Sequence, residues 1–490
     1  MCLIAGGVGS NLKSKFVRMI EAGKHRGSDA FGVWTDEGVL KSHDFGEVRE
    51  IPDGRVGLLQ CRLAMSGSKL YNQPFVNELA LVHNGEVYNY PQLRAYLEER
   101  GVSFESDVDS EVILRLLEFL MGKGLSPVDA VRRAMGLLEG DYAVAFHLDG
   151  KLYLFRDPVG VRPLYYSRRG FFASEKKVLW SIGEEAIPVN PGELVVISRN
   201  GISGERVFSL TGLRRRELSE EEVLKALRTT LRHAVRGRSS KKVGVLFSGG
   251  LDSSLIALLA SEFGEVVLYT AGAEGSPDLG WARKVAEALG LPLKEHVFDR
   301  DEVEKHLLSV MRAIEEPNPM NLSIGLPLYF ATKTAAGDGV RILLSGGGAD
   351  ELFGGYHKYL ENPSLMESDL LEMGEKNLAR DDKIAMLNGV EGRFPYLALP
   401  VVSAALNTPL ELKIRGGTRK WVLRRLAIEL GLPEEVAMRE KKAAQYGSGA
   451  QKILESIARS RGMHLREFAE ALFRETFGGL GSEPLTKTLF

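Results

Sequence analysis

Two stretches carry residue types able to do covalent or phosphate chemistry. The first is Cys2, a thiol directly after Met1. Loss of Met1 would leave a free α-amino group on that residue. Such an amine has a reference pKa of about 7.7–8.0 and can act as a base near neutral pH. Base and nucleophile would then share one residue, as in N-terminal threonine nucleophiles. A cysteine alone is more often an inert buried side chain, so this reading needs companions. The second stretch is Ser248-Gly249-Gly250-Leu251-Asp252-Ser253-Ser254, between an apolar run at 243–247 and a helical run from 254. Strand, glycine turn and helix start together aim backbone N–H groups and a positive helix end at an anion. No Gly-Lys-Ser/Thr follows, which excludes the Walker pattern. Asp252 would offer a hard carboxylate to a hard cation such as Mg2+.

The rest of the chain must position these residues. At 490 residues it exceeds one core, so two or more domains are expected. With 63 basic and 65 acidic residues the net charge is −2, which gives no bulk drive toward nucleic acid or membrane. Two cysteines, Cys2 and Cys61, exclude a disulfide framework and point to a reducing, cytoplasmic setting. The first residues lack a basic and apolar leader pattern, so no secretory signal is expected. No apolar run approaches the ~20 residues that span a bilayer.

Residues 1–210 carry short β-type runs, such as 79–82, 142–146, 152–155 and 194–197, with two helices at 111–121 and from Ser126-Pro127. This half is expected to be α+β with packed sheets. Residues 211–218 are polar and basic and are expected to form a linker. Ser219 to Glu222 forms a capping box, so a helix should begin there. From 219 to 490 the rhythm changes. Strand candidates 243–247, 266–270, 293–298 and 341–344 alternate with helix candidates 253–263, 278–289 and 302–314. Such alternation predicts an α/β doubly wound parallel sheet, followed by a helical part beyond 397.

Longer motifs supply the companions of Cys2. His25-Arg26-Gly27-Ser28-Asp29-Ala30, Asn84-Gly85-Glu86-Val87-Tyr88-Asn89 and Asp109-Ser110-Glu111-Val112-Ile113-Leu114 occur in that order. They resemble the His-Arg-Gly-Pro-Asp, Asn-Gly-Glu-Ile-Tyr-Asn and Asp-Cys-Glu-Val-Ile-Leu segments of class II glutamine amidotransferases. That resemblance implies an N-terminal-nucleophile hydrolase domain, with stacked antiparallel sheets between helices. It implies Cys2 as nucleophile, with Asn84 and Gly85 donating to the tetrahedral oxyanion. It also implies glutamine held by Arg62, Asn84, Glu86 and Asp109, the arginine taking the carboxylate and Asp109 the ammonium.

The second half resembles the N-type ATP pyrophosphatase domain of asparagine synthetases. Ser345-Gly-Gly-Gly-Ala-Asp350-Glu-Leu-Phe-Gly-Gly-Tyr356 is close to their Ser-Gly-Glu-Gly-(Ser/Ala)-Asp-Glu segment. Residues 272–279 resemble the adenosine-side loop, and Glu391-Gly-Arg-Phe-Pro-Tyr-Leu397 resembles Glu-Ala-Arg-Val-Pro-Phe-Leu. Lys420-Trp-Val-Leu-Arg and Arg439-Glu-Lys-Lys resemble the C-terminal signature. The match implies ATP held by Leu246, Ser248, Gly249, Gly250, Asp252, Ser253, Ala271, Gly272, Ser345, Gly346, Lys420 and Lys441. Asp252 and Asp350 would carry the metal. Lys441, or Lys442 beside it, and Glu391 would be catalytic, although Glu391 could equally be an ion-pair partner of Arg393 or Arg415.

The implied activity is glutamine-dependent, ATP-dependent amide synthesis. A carboxylate is adenylated, ammonia freed at Cys2 passes inside the protein, and an amide forms. Aspartate is the acceptor the family implies, with a homodimer left open as the assembly. Two positions depart from the family. Gly347 stands where asparagine synthetases carry glutamate and lactam-forming relatives carry tyrosine, and Ala398 stands where a carboxylate is usual. Both keep open an enzyme of the same frame acting on a different carboxylate. A non-catalytic glutamine or nucleotide sensor is the third reading; the complete set of implied site residues argues against it.

Overall fold

The computed structural model describes residues 2–63, 72–440 and 447–478. They divide into two compact units, 2–209 with 374–379, and 210–373 with 380–478.

The first unit holds thirteen strands: β1 (Cys2–Val8), β2 (Ala30–Thr35), β3 (Gly38–Ser42), β4 (Val56–Arg62), β5 (Phe75–Val76), β6 (Ala80–Val87), β7 (Gly140–Leu148), β8 (Lys151–Arg156), β9 (Tyr165–Tyr166), β10 (Phe171–Ala173), β11 (Ile187–Pro188), β12 (Glu193–Ser198) and β13 (Gly201–Arg206). They form two antiparallel sheets, ordered β11-β9-β10-β1-β4-β2-β3 and β13-β12-β8-β7-β6-β5. Its helices include α1 (Leu12–Gly23), α2 (Tyr90–Glu98), α3 (Asp109–Gly122), α4 (Pro127–Met135) and α5 (Lys176–Trp180).

Successive strand residues point to opposite faces, and here both faces are buried. Leu3, Ala5 and Leu59 pack with Phe16 of α1 and Val178 of α5. Ile4 and Leu58 turn the other way and meet Val82 and Ala143 of the facing sheet. The outer face of that second sheet packs Leu81 and Val144 on Ile113, Leu117 and Val131 of α3 and α4. The result is helix, sheet, sheet, helix, the N-terminal-nucleophile hydrolase layering expected from the motifs. The start of α4 follows its sequence signal: Ser126 Oγ accepts from Asp129 N at 3.1 Å, and Pro127 occupies the first helical position.

The second unit begins with residues 210–218, which the Asn407 side chain holds: its Oδ1 accepts from Arg215 N and Arg216 N at 2.7 and 3.0 Å. Then comes α6 (Glu220–Arg238), started by the expected capping box at Ser219. Five strands follow: β14 (Lys242–Leu246), β15 (Glu265–Ala273), β16 (Leu293–Phe298), β17 (Ile342–Leu344) and β18 (Glu391–Arg393). All pair in parallel, in the order β16-β15-β14-β17-β18. The intervening helices are α7 (Leu251–Ala260), α8 (Pro277–Leu289), α9 (Arg300–Ile314), α10 (Pro319–Gly337) and α11 (Ala349–Phe353). The winding reverses between β14 and β17. In such sheets ligands bind outside the carboxyl ends of the strands at that point.

Beyond 397 the unit is largely helical, as expected. One interruption matters: Ile414–Arg415 and Thr418–Arg419 form a tight hairpin over Gly416 and Gly417, both at positive φ. It delivers the next residue, Lys420, in the left-handed conformation at φ 57°. Among the described residues no helix is long and apolar enough to cross a membrane.

Candidate active sites

Cys2 lies at the first position of β1, on the face turned toward the second sheet, and is 7% exposed. Register places Arg62 of β4 directly opposite it. Gln60, two residues earlier on the same face, donates from Nε2 to Cys2 Sγ at 3.0 Å. Asn84 comes from β6 in the facing sheet, where alternation turns it and Glu86 inward. The Cys2 main-chain nitrogen donates to Asn84 Oδ1 at 2.9 Å. The other half of that amide, Nδ2, is buried with no hydrogen-bond partner among the described residues. An unspent buried donor beside a thiol is the arrangement that the oxyanion of thiol attack on a carbonyl would need.

Gly85 has φ 145°, and a Cβ there would stand 2.0 Å from Asp141 O, so only glycine fits. Asp109 is the first residue of α3, and its Oδ2 accepts from Val87 N at 2.9 Å, which ties the helix start to the end of β6. Arg62, Glu86 and Asp109 are all buried. The structure thus brings Cys2, Arg62, Asn84 and Glu86 together between the two sheets, with Gly85 beside Asn84 in β6 and Asp109 tied to the end of that strand.

Sequence reasoning missed what holds Cys2 in place. Arg26 Nε donates to Cys2 O at 3.1 Å, and Arg26 also pairs with Glu175 at 2.9 Å. His25 meets the same carboxylate at 3.0 Å, and Lys177 joins it. Burial would push the Glu175 carboxyl up; Lys177, His25 and Arg26 outweigh it and hold it well below the usual carboxylate range. Burial likewise lowers His25, against the pull of Glu175. Gln60 was visible only as a polar residue in an apolar strand. Cys61, next along β4, faces the opposite core; burial pushes its thiol far up, so it is no competing nucleophile.

The second site forms at the winding reversal. β14 leads into Ser248–Gly250, and Gly249 turns at φ 67° with its carbonyl fixed by Trp281 Nε1 at 2.7 Å. Leu246 ends β14, and Ala271 and Gly272 lie near the end of β15. Ser253 Oγ closes the turn by donating to Gly250 O at 3.3 Å. Ser345 and Gly346 follow β17. A Cβ on Gly346 would stand 2.9 Å from Asp252 Cβ, so this glycine lets the two loops touch. Lys420 Nζ sits between Asp252 Oδ2 at 2.5 Å and Asp350 Oδ1 at 2.7 Å, with the lysine 3% exposed. A cavity of about 150 Å³ opens there, lined by Ser248, Gly250 and the basic Arg419, Lys420, Arg424 and Arg439. Asp252, Asp278 and Glu440 line it too, and four cations against three carboxylates leave a small positive excess that suits a polyphosphate.

No cluster of three or more metal-ligating side chains exists among the described residues. Two carboxylates do converge, and Asp252 Oδ1 is buried without a hydrogen-bond partner among them. Magnesium is commonly held by one or two carboxylates plus substrate phosphates, so this pair fits it. Lys441 and Lys442 lie outside the described residues. Glu391 is fully buried in β18 and pairs with Arg393 at 3.1 Å, whereas Arg415 pairs with Glu220.

The departure at Gly347 has a steric counterpart. A Cβ there would meet the Phe394 ring at 3.1 and 3.2 Å. Phe394 stands where the related motif has valine, so the ring fills space that a side chain at 347 would use. Gly347→Glu is expected to cost about 1–3 kcal/mol through overpacking. Phe394→Val in the same chain should recover most of that. Urea midpoints read the coupling; additive effects of the two changes would remove the steric pairing.

An N-terminal-nucleophile layer with a buried cysteine, joined to a doubly wound sheet with glycine loops at its reversal point, defines a glutamine amidotransferase fused to a nucleotide-using synthetase. Comparison with known proteins agrees. Residues 1–203 match the glutamine amidotransferase domain family, and residues 226–368 and 361–477 match the asparagine synthase family. A Methanocaldococcus jannaschii protein, provisionally named asparagine synthetase (glutamine-hydrolyzing) 1, is 34% identical over 97% of this chain and 99% of its own. Asparagine synthetase B (glutamine-hydrolyzing) of Escherichia coli is 28% identical over 89% of this chain and 80% of its own. Among solved structures, the glutamine phosphoribosylpyrophosphate amidotransferase of B. subtilis is 20% identical at a TM-score of 0.39, covering 60% of this chain and 65% of that one. The chain belongs to the glutamine-hydrolysing asparagine synthetase family, and it is a ligase.

Proposed function

We propose that the enzyme converts aspartate to asparagine, with ATP as the activating substrate and glutamine as the nitrogen source. One observation carries this reading above the rest. The chain that brings Lys420 between Asp252 and Asp350 at the winding reversal also carries a buried Cys2 beside an unspent Asn84 donor. Both halves in one chain support a reading in which glutamine chemistry and carboxylate activation serve one product.

In the first unit, removal of Met1 leaves the Cys2 amine to take the thiol proton. The sulfur attacks the glutamine side-chain carbonyl. Asn84 Nδ2 and the Gly85 N–H donate to the developing oxyanion, while Arg62 and Asp109 grip the substrate's carboxylate and ammonium. Collapse expels ammonia and leaves a thioester, which water hydrolyses to glutamate. In the second unit the acceptor carboxylate attacks the α-phosphorus of ATP, and pyrophosphate departs toward Lys420 and the surrounding arginines. Magnesium held by Asp252 and Asp350 would neutralise phosphate charge. Ammonia then attacks the acyl carbon and AMP leaves. Two free cysteines fit a reducing, cytoplasmic setting.

Asn84→Ala should lower the glutaminase kcat by about 10²–10³-fold with a small change in KM, the usual loss of one oxyanion donor. A steady-state glutaminase assay measures it, and a wild-type kcat would remove Asn84 from the oxyanion site. For the acceptor, the test is a product assay with glutamine, ATP, magnesium and aspartate. Asparagine formed in step with AMP supports the reading. Glutamate without asparagine or AMP supports the second reading, a different acceptor carboxylate, which the apolar ring of Phe394 against Gly347 favours.

A further inference from the structure

Gln60 is a buried amide whose only polar side-chain partner among the described residues is a sulfur. It is 1% exposed in β4, its Nε2 donates to Cys2 Sγ at 3.0 Å, and its Oε1 has no hydrogen-bond partner among the described residues. Its neighbours Leu58 and Leu59 are fully buried and apolar. A side chain kept there for packing alone would serve better as leucine, because an apolar group of similar shape leaves no orphaned oxygen. The cost of burying an amide in this strand is therefore explained by what its N–H does. Register sets Gln60 opposite Ile4 and Arg62 opposite Cys2, so Gln60 reaches the sulfur diagonally across the inner face of the sheet.

We propose that Gln60 is a further catalytic residue of the glutamine site, whose N–H stabilises negative charge on the Cys2 sulfur. The proposal rests on the reading of Cys2 as nucleophile. When the thiol proton moves to the Cys2 amine, the sulfur becomes anionic and the N–H···S bond becomes charge-assisted, hence stronger. As the sulfur bonds to the glutamine carbonyl carbon, its charge passes to the oxyanion and the bond weakens. It strengthens again when water attacks the thioester and the carbon–sulfur bond breaks. Gln60 gains and loses no proton. Its bond is strongest in the states where sulfur carries charge, which is where stabilisation raises the rate.

The test compares Gln60→Leu, Gln60→Glu and Gln60→His with the wild-type full-length enzyme. Iodoacetamide modification of Cys2 at pH 7, read by peptide mass, is measured beside steady-state glutaminase activity. Cys61 is fully buried and marks background labelling. The Leu and Glu variants are expected to modify Cys2 about tenfold or more slowly and to lose about 10–100-fold in kcat, the range for a hydrogen bond to a charged group. KM for glutamine should stay within about twofold. Gln60→His restores an N–H donor and should recover most of both rates. Wild-type rates in a folded Gln60→Leu enzyme would overturn the proposal. If thermal melting shows that variant unfolded, the isosteric Gln60→Glu decides on the same terms. A wild-type Cys2 that resists iodoacetamide would overturn the nucleophile assignment itself, a separate failure visible before any variant is compared.

Discussion

Cys2→Ala is expected to abolish glutamine-dependent amide synthesis, by at least about a thousandfold in kcat, and to leave synthesis from ammonium salts near the wild-type rate. The size follows from removing a nucleophile outright, because no other group can form the thioester. Cys61 offers no rescue: it is fully buried on the other face of its sheet, and burial pushes its thiol up. Alanine at position 2 keeps the backbone contacts that order the site, the bond from its nitrogen to Asn84 and the bond from Arg26 to its carbonyl. The fold should therefore survive, with the loss confined to one substrate. The check is paired rate measurement with glutamine and with ammonium chloride. Equal loss with both would break the assignment of ammonia release and amide formation to two separate sites.

The second large effect is expected at Asp252. Asp252→Asn should lower pyrophosphate release by about 10²–10³-fold, while glutaminase activity persists. The carboxylate sits at 2.5 Å from Lys420, which also holds Asp350 at 2.7 Å. An amide keeps the shape and removes one of the two negative charges that would balance a metal–polyphosphate. Lys420 retains Asp350, so no buried charge is stranded and stability should change little. The residues proposed for glutamine hydrolysis all lie in the first unit, which is why that half-reaction should continue. Pyrophosphate and glutamate are measured in the same samples. Unchanged pyrophosphate release would remove Asp252 from the metal site.

The parts of both sites legible in the sequence were those written contiguously. The glycine loop at Ser248 announces itself because strand, turn and helix start adjoin, and each has its own local signal. Asn84, Gly85 and Asp109 were carried by motifs whose spacing survives in one chain. The unread parts depend on distant contacts. Arg26 meets Glu175, 149 residues away, and no local pattern marks a buried carboxylate. Phe394 and Gly347 explain each other only when the β17 loop and the segment after β18 lie side by side. Helix α10 escaped because it is buried nearly all round and carries Gly325 and Pro327 inside, so it shows no amphipathic period. Strand β18 escaped because it has three residues, two of them charged and satisfied by each other. Lys420 could be seen as part of a signature, but its left-handed backbone and its place between two carboxylates come from a two-glycine hairpin whose effect is geometric.

The central claim is that a carboxylate activated at the second site is amidated with nitrogen released at the first. The most direct measurement supplies [amide-15N]glutamine and aspartate labelled with 18O in its side-chain carboxylate, with ATP and magnesium, and reads the products by mass spectrometry. The account predicts 15N in the asparagine amide and one 18O in AMP, because adenylation leaves a carboxylate oxygen on the departing phosphate. AMP without 18O, or asparagine without 15N, would contradict it.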